Sequence, residues 1–204
     1  MGVNVCQEKE EPEMNESKVF NPKHIGALES EDRKTWQNAE EILGMLELKP
    51  SYVVADLGCG SGYFTVPISR KVKKVYGIDV QKEMLEFLEE KIQTQKILNI
   101  ETLRSKENEI PLQNESLDLL LSVNTLHEFR DKEKIINEIR RILKPEGQAT
   151  IIDFKKEDTN FGPPVAVRVS KEQAKSLFEK KGLTVLKTHE LKYHYLIVFG
   201  KNRG

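Results

Sequence analysis

Val53-Val54-Ala55-Asp56-Leu57-Gly58-Cys59-Gly60-Ser61-Gly62-Tyr63-Phe64 carries the strongest fold signal in the chain. It opens as an apolar run, the pattern of a strand buried in a parallel sheet. It ends in glycines at alternate positions, and a helical pattern follows at once. Glycine permits a sharp turn and lets a ligand approach the main chain closely. The helix start then offers N–H groups without intrahelical partners. One βα unit later, Val75-Tyr76-Gly77-Ile78 reads as another short strand, ended by Asp79. Asp79 lies about 20 residues past the first glycine, a spacing that puts a carboxylate within reach of ribose hydroxyls. The local expectation is a nucleoside-binding α/β unit.

The chain has 204 residues, enough for one domain with a sizeable core. Charged residues make up 32% and the net charge is −1, so no global basic excess points to nucleic acid. Cys6 and Cys59 are poor candidates for a disulfide framework. No run of about 18 apolar residues marks a membrane span, and the first residues lack the apolar core of a secretory signal. A cytoplasmic protein, monomeric or homodimeric, is expected.

Outward from the glycine stretch, residues 1–17 are polar and acidic and read as a disordered leader. Residues 18–204 read as a single domain, with 18–50 as a helical segment over the ligand site. Within it, Ser30 to Leu48 has helical periodicity, with Trp36, Ala39, Ile42, Leu43 and Leu46 on one side, and Lys49-Pro50 ends it. Tyr63 to Arg70 reads as a short helix, and Gln81 to Gln95 as a longer one with Met84, Leu85, Leu88 and Ile92 inward. Ile100 to Leu103 and Leu117 to Val123 read as strands. Asp131 caps a helix whose inward face includes Ile135, Ile136, Ile139 and Ile142. Lys144-Pro145-Glu146-Gly147 reads as a turn before a strand over Gln148 to Phe154. A helix capped by Ser170 and a terminal hairpin, Leu183 to Glu190 and Tyr193 to Phe199, complete the order. Alternating β and α elements predict an α/β, Rossmann-like three-layer sandwich.

Two ligand classes compete for the glycine loop. A dinucleotide site reads G-x-G-x-x-G, whereas this chain reads Gly58-x-Gly60-x-Gly62 after Asp56. The latter resembles motif I of the class I S-adenosylmethionine (SAM)-dependent methyltransferases. "VVADLGCGSGYFTVPIS", "VYGIDVQKEML", "SLDLLLSVNTLHEF" and "EIRRILKPEGQATIIDF" resemble successive motifs of that family, in particular its small ubiquinone/menaquinone-biosynthesis-like (type 11) subset. The resemblance implies a seven-stranded, mostly parallel sheet with an antiparallel last strand. It implies SAM as cofactor and S-adenosylhomocysteine as product. Gly58 and Gly60 would face the methionine part, within a loop completed by Gly62, with Asp56 near the amino group. Asp79 would hold the ribose, and Val80 and Met84 would flank the adenine; Met84 also reads as ordinary core. Glu107 stands where the family places an acidic contact to the adenine amino group, although Lys106-Glu107-Asn108 departs from the usual acidic-then-small pattern. Val123 and Asn124 would line the methyl end.

A sulfonium methyl is already electrophilic, so positioning the acceptor supplies much of the rate. A general base is needed only where the acceptor must lose a proton. His127 follows the fourth strand by a few residues, and imidazole titrates near neutral pH, so it is the candidate base. Glu128 beside it would orient that ring or bind a cationic substrate. Arg168, beyond Gly162-Pro163-Pro164, would pair with an anionic acceptor. Tyr193 and His194 fall at the final hairpin turn, expected far from the methyl. The histidines and cysteines show no metal-ligand spacing. The expected activity is methyl transfer to a small-molecule acceptor. A non-catalytic SAM-binding sensor or assembly factor and an NAD-dependent oxidoreductase stay open as alternatives.

Overall fold

A computed structural model describes residue 26 and residues 29–201; the expected leader and the start of the 18–50 segment lie outside the described residues. From the N-terminal side, α1 (Glu31–Trp36) and α2 (Ala39–Gly44) precede β1 (Val53–Leu57). The glycine loop leads into α3 (Thr65–Ser69), followed by β2 (Lys74–Asp79), α4 (Lys82–Thr94) and β3 (Ile100–Arg104). Then come β4 (Leu117–Val123), α5 (Lys132–Ile142), β5 (Leu143–Phe154), α6 (Lys171–Glu179), β6 (Leu183–Glu190) and β7 (His194–Lys201).

The strands form one seven-stranded sheet in the order β3-β2-β1-β4-β5-β7-β6. β1 through β5 pair in parallel, while β7 lies antiparallel between β5 and β6. This is the expected architecture, with the antiparallel strand inserted by the terminal hairpin. Side chains alternate between the two faces, as the pleat requires. Ala55, Ile151 and Ile197 join the core under α5 and α6, whereas Val54, Ile152 and Leu196 join the core that holds Ile42, Leu43 and Ile68. Burial on both faces explains why β4 reads as a nearly continuous apolar run.

Three local expectations need correction. The single helix over Ser30–Leu48 is two helices. Asn38 has extended backbone, and its side chain accepts from Glu41 N at 3.1 Å, capping α2 and ending α1. The helix after the glycine loop is only Thr65–Ser69. The turn at 144–147 lies inside β5: Leu117 pairs with Leu143, but Leu119 pairs with Gln148. The surplus residues bulge out. Gly147 is needed there, because a Cβ would sit 2.9 Å from the Leu117 carbonyl oxygen.

Parallel strands bring their carboxyl ends to one edge, where the loops after β1, β2, β4 and β5 converge. Open α/β sheets bind ligands at that edge.

Candidate functional site

The glycine loop is built by close approach. Gly58, Gly60 and Gly62 have φ of 75°, 51° and 85°, a region that costs side-chain-bearing residues energy. A Cβ on Gly58 would lie 2.4 Å from Thr125 Oγ1, and one on Gly62 would lie 2.5 Å from Leu88 Cδ1. Gly58 therefore lets the loop touch the segment after β4, while Gly62 lets it pack on α4. The N–H groups of Gly58 and Cys59 both donate to the Ile78 carbonyl, at 2.8 and 3.0 Å.

Two buried carboxylates flank this loop. Asp79 ends β2 at 8% exposure. Its Oδ2 accepts from Gly60 N and its Oδ1 from Gln81 N, each at 3.0 Å. Burial raises its pKa in spite of those bonds. Asp56, at 1% exposure, accepts from Thr65 Oγ1 at 2.6 Å through Oδ2. Its Oδ1 is buried without a partner among the described residues. Burial pushes its pKa up to about 6, opposed by Thr65 and by the Arg33 charge.

Arg33 is a residue that sequence reading missed. Its guanidinium is buried and lies 4.1 Å from the Tyr63 ring centroid, beside the glycine loop. Its Nε and Nη2 both donate to Gln37 Oε1, at 3.1 and 2.9 Å. Burial lowers its pKa to about 10, against the pull of Tyr63, Glu29 and Asp56. Gln37 in turn exchanges two hydrogen bonds with Asn124, just past β4, and its carbonyl accepts from Tyr63 Oη at 2.8 Å. Glu29 adds a contact to Ser61 Oγ and pairs with Lys91 at 2.7 Å. Polar residues at i and i+4 on the inward side of α1 were the available signal.

Among the other candidates, Val80 is 37% exposed at the end of β2, whereas Met84 is 2% exposed and packed. Val123 is buried at the β4 tip. Glu107 is exposed and pairs with Arg130 at 3.3 Å. Glu128 is half-buried beside His127.

His127 is 7% exposed, and its partner is Asp153 on β5, at 0%. Asp153 Oδ2 accepts from His127 N at 3.0 Å, while Nδ1 lies 2.8 Å from Asp153 Oδ1. Burial alone would lower the imidazole pKa; the Asp153 hydrogen bond and charge, aided by Glu128, outweigh it, and the net shift is upward.

Arg168 is not free to meet an anion. It is 3% exposed, and its donors go to the carbonyls of Pro163, Lys155, Glu157 and Phe161 and to Thr159 Oγ1. A guanidinium has five N–H groups, so none is left over; Arg168 organises the loop after β5. That loop delivers Phe161 to Trp36 at 4.9 Å between centroids. The His194 ring stacks on Trp36 at 5.7 Å between centroids and lies tilted against Phe154 at 4.3 Å. Fully buried there, it has both ring nitrogens unpartnered among the described residues, and burial lowers its pKa to about 4. It therefore remains neutral and acts as an aromatic wall behind Trp36.

Among the described residues no His/Cys/Asp/Glu group could hold a metal ion, and no helix is long and apolar enough to cross a membrane.

A family model described as a methyltransferase domain matches residues 55–151. A crystal structure of a SAM-dependent methyltransferase from Aquifex aeolicus is 33% identical, covers 89% of this chain and 98% of its own, and superposes with a TM-score of 0.84. Demethylmenaquinone methyltransferase of Bacillus mycoides is 24% identical over 59% of this chain and 51% of the relative. Phosphoethanolamine N-methyltransferase 3 of Arabidopsis thaliana is 28% identical over 66% of this chain and 28% of the relative. The chain spans about half the length of the curated relatives it matches, 49%, 40% and 51% for three of them. The near-full-length match to the Aquifex enzyme, together with the methyltransferase-domain model, makes this chain a member of the class I SAM-dependent methyltransferases, type 11.

Proposed function

We propose that this chain moves a methyl group from SAM to a small-molecule acceptor held above the tips of β4 and β5. The observation that carries this reading is the buried Asp56 carboxylate with its unpartnered Oδ1. A buried acceptor without a donor is costly, and a charged one more so. The ammonium of an amino-acid moiety supplies what Oδ1 lacks, and the Arg33 guanidinium beside the same loop suits the carboxylate of that moiety. A dinucleotide would instead bring a pyrophosphate dianion to a loop flanked by Asp56 and Asp79, and like charges repel.

Bound SAM supplies a methyl carbon on a sulfonium, ready for displacement. Gly58 and Gly60, within the loop that Gly62 seats on α4, present main chain to the methionine part. Asp79 keeps free lone pairs for ribose hydroxyls while its other lone pairs hold the loop. Val80 and Met84 flank the adenine, Glu107 contacts its amino group, and Val123 with Asn124 lines the methyl end. His127 takes the proton an acceptor sheds, and Glu128 orients either that ring or a cationic substrate. Trp36 and Phe161 close the apolar side.

Relatives named for demethylmenaquinone and for phosphoethanolamine support a small-molecule acceptor. We place the protein in the cytoplasm, as a monomer or homodimer.

Incubation with methyl-labelled SAM and fractionated cell extract tests the activity. Label should pass to a low-molecular-weight fraction. Tight SAM binding with no transfer to any fraction would favour a sensor instead.

A further inference from the structure

His127 and Asp153 stand 26 residues apart on the loop after β4 and on β5. Asp153 is fixed from three sides. Its Oδ2 accepts from His127 N at 3.0 Å, its Oδ1 from Phe154 N at 2.7 Å, and Oδ1 also meets His127 Nδ1 at 2.8 Å. Asp153 pairs in register with Tyr195 of the antiparallel β7, in the sheet interior, and both are 0% exposed. An ionised carboxylate only accepts hydrogen bonds. In the neutral ring Nδ1 must then carry the proton, and Nε2 keeps its lone pair. Nε2 has no partner among the described residues, yet it is not among the buried unpartnered atoms, so solvent reaches it.

We infer that Asp153 is the positioning residue that holds His127 with Nδ1 protonated and Nε2 open as base, so that the acceptor atom arrives bearing a proton. This rests on the methyl-transfer reading above and narrows its substrate class to O–H, S–H or protonated amine acceptors. The acceptor's proton passes to Nε2. The electron pair that held it becomes the new bond to the methyl carbon, and the pair of the broken carbon–sulfur bond stays on sulfur. One positive charge is lost at sulfur and one appears on the imidazole, where Asp153 faces it. Neutral Nε2–H imidazole would have no lone pair there, and a fixed carboxylate on Nδ1 forbids that tautomer. The other charges the ring feels are Glu128 beside it and Lys132 at the start of α5.

Nitrogen-15 NMR of the full chain, labelled at histidine and recorded with and without S-adenosylhomocysteine, reads the tautomer without any acceptor. His127→Gln assigns the signal by its loss. Above its titration, wild-type His127 should show a protonated Nδ1 and an unprotonated Nε2. Asp153→Asn, whose amide can donate to Nδ1, should shift the population toward Nε2–H and lower the His127 pKa. Asp153→Glu should restore the wild-type tautomer at least in part. A wild-type ring protonated on Nε2 would overturn the inference, and that result needs no variant to fold. An unchanged tautomer and titration in folded Asp153→Asn would overturn it too. Failure of S-adenosylhomocysteine to bind would instead strike the methyl-transfer reading, since the tautomer is measured in the free protein as well.

Discussion

Gln37 and Asn124 exchange hydrogen bonds through both ends of their side-chain amides, Nε2 to Oδ1 at 3.2 Å and Nδ2 to Oε1 at 3.1 Å. They are 87 residues apart in sequence, and the pair ties the α1–α2 junction to the tip of β4. Asn124 makes this bond at φ 56°, in the left-handed region. Asparagine tolerates that region; a branched side chain does not.

Replacement of Asn124 should separate the two contributions. Asn124→Gly keeps the backbone accessible but leaves Gln37 Nε2 without the Asn124 acceptor, at a cost of about 1–3 kcal/mol. Asn124→Val should cost a further ~1–3 kcal/mol for the strained backbone. Urea unfolding of both variants measures the gap. Equal stabilities would mean that the left-handed residue is not strained.

Gly58 and Thr125 are coupled by contact. Gly58→Ala should destabilise by about 1–3 kcal/mol through φ alone, and more through the clash with Thr125 Oγ1 and Cγ2 at 2.4 and 2.5 Å. Thr125→Ala removes those atoms. The double variant should recover part of the loss, with a coupling of roughly 0.5–3 kcal/mol in a double-mutant cycle. Strict additivity would show that the clash is relieved by loop movement.

Asp56 should make folding pH-dependent in an unusual direction. Its ordinary value is 3.8, and burial raises it to about 6 in the fold. Between those values the folded state binds more protons than the unfolded state. Stability therefore falls as pH rises through that window, by at most about 3 kcal/mol. Asp79, also raised by burial, acts in the same direction. Asp56→Asn should flatten the slope in urea titrations across pH 4–7. A variant with the full wild-type slope would place the effect elsewhere. SAM should oppose the shift, because its ammonium favours the ionised form, so its affinity should weaken as pH falls through 6.

Local signals made the fold and the glycine loop legible. Glycines at positive φ, a strand-tip Asp79 and unbroken apolar strands depend on neighbours within one βα unit. What stayed hidden depends on long-range partners. Asp153 sits in the apolar run Ile151-Ile152-Asp153-Phe154, and only the pairing of β4 with β5 reveals its histidine. Arg168 looks like a surface charge in a proline-containing loop; the carbonyls that absorb its donors are brought to it by the curl of that loop. The break between α1 and α2 lay within one helical period, yet Asn38 and Glu41 carried the cap signal three residues apart.

We propose that the Asp56–Gly62 loop and Asp79 hold SAM. Calorimetric titration of the full chain with SAM, and separately with NAD, tests it most directly. Binding of SAM with a dissociation constant on the order of micromolar is predicted, weakened by about 1.5–3 kcal/mol in Asp79→Ala, with negligible heat from NAD. Saturable NAD binding and no SAM signal would remove SAM from this loop.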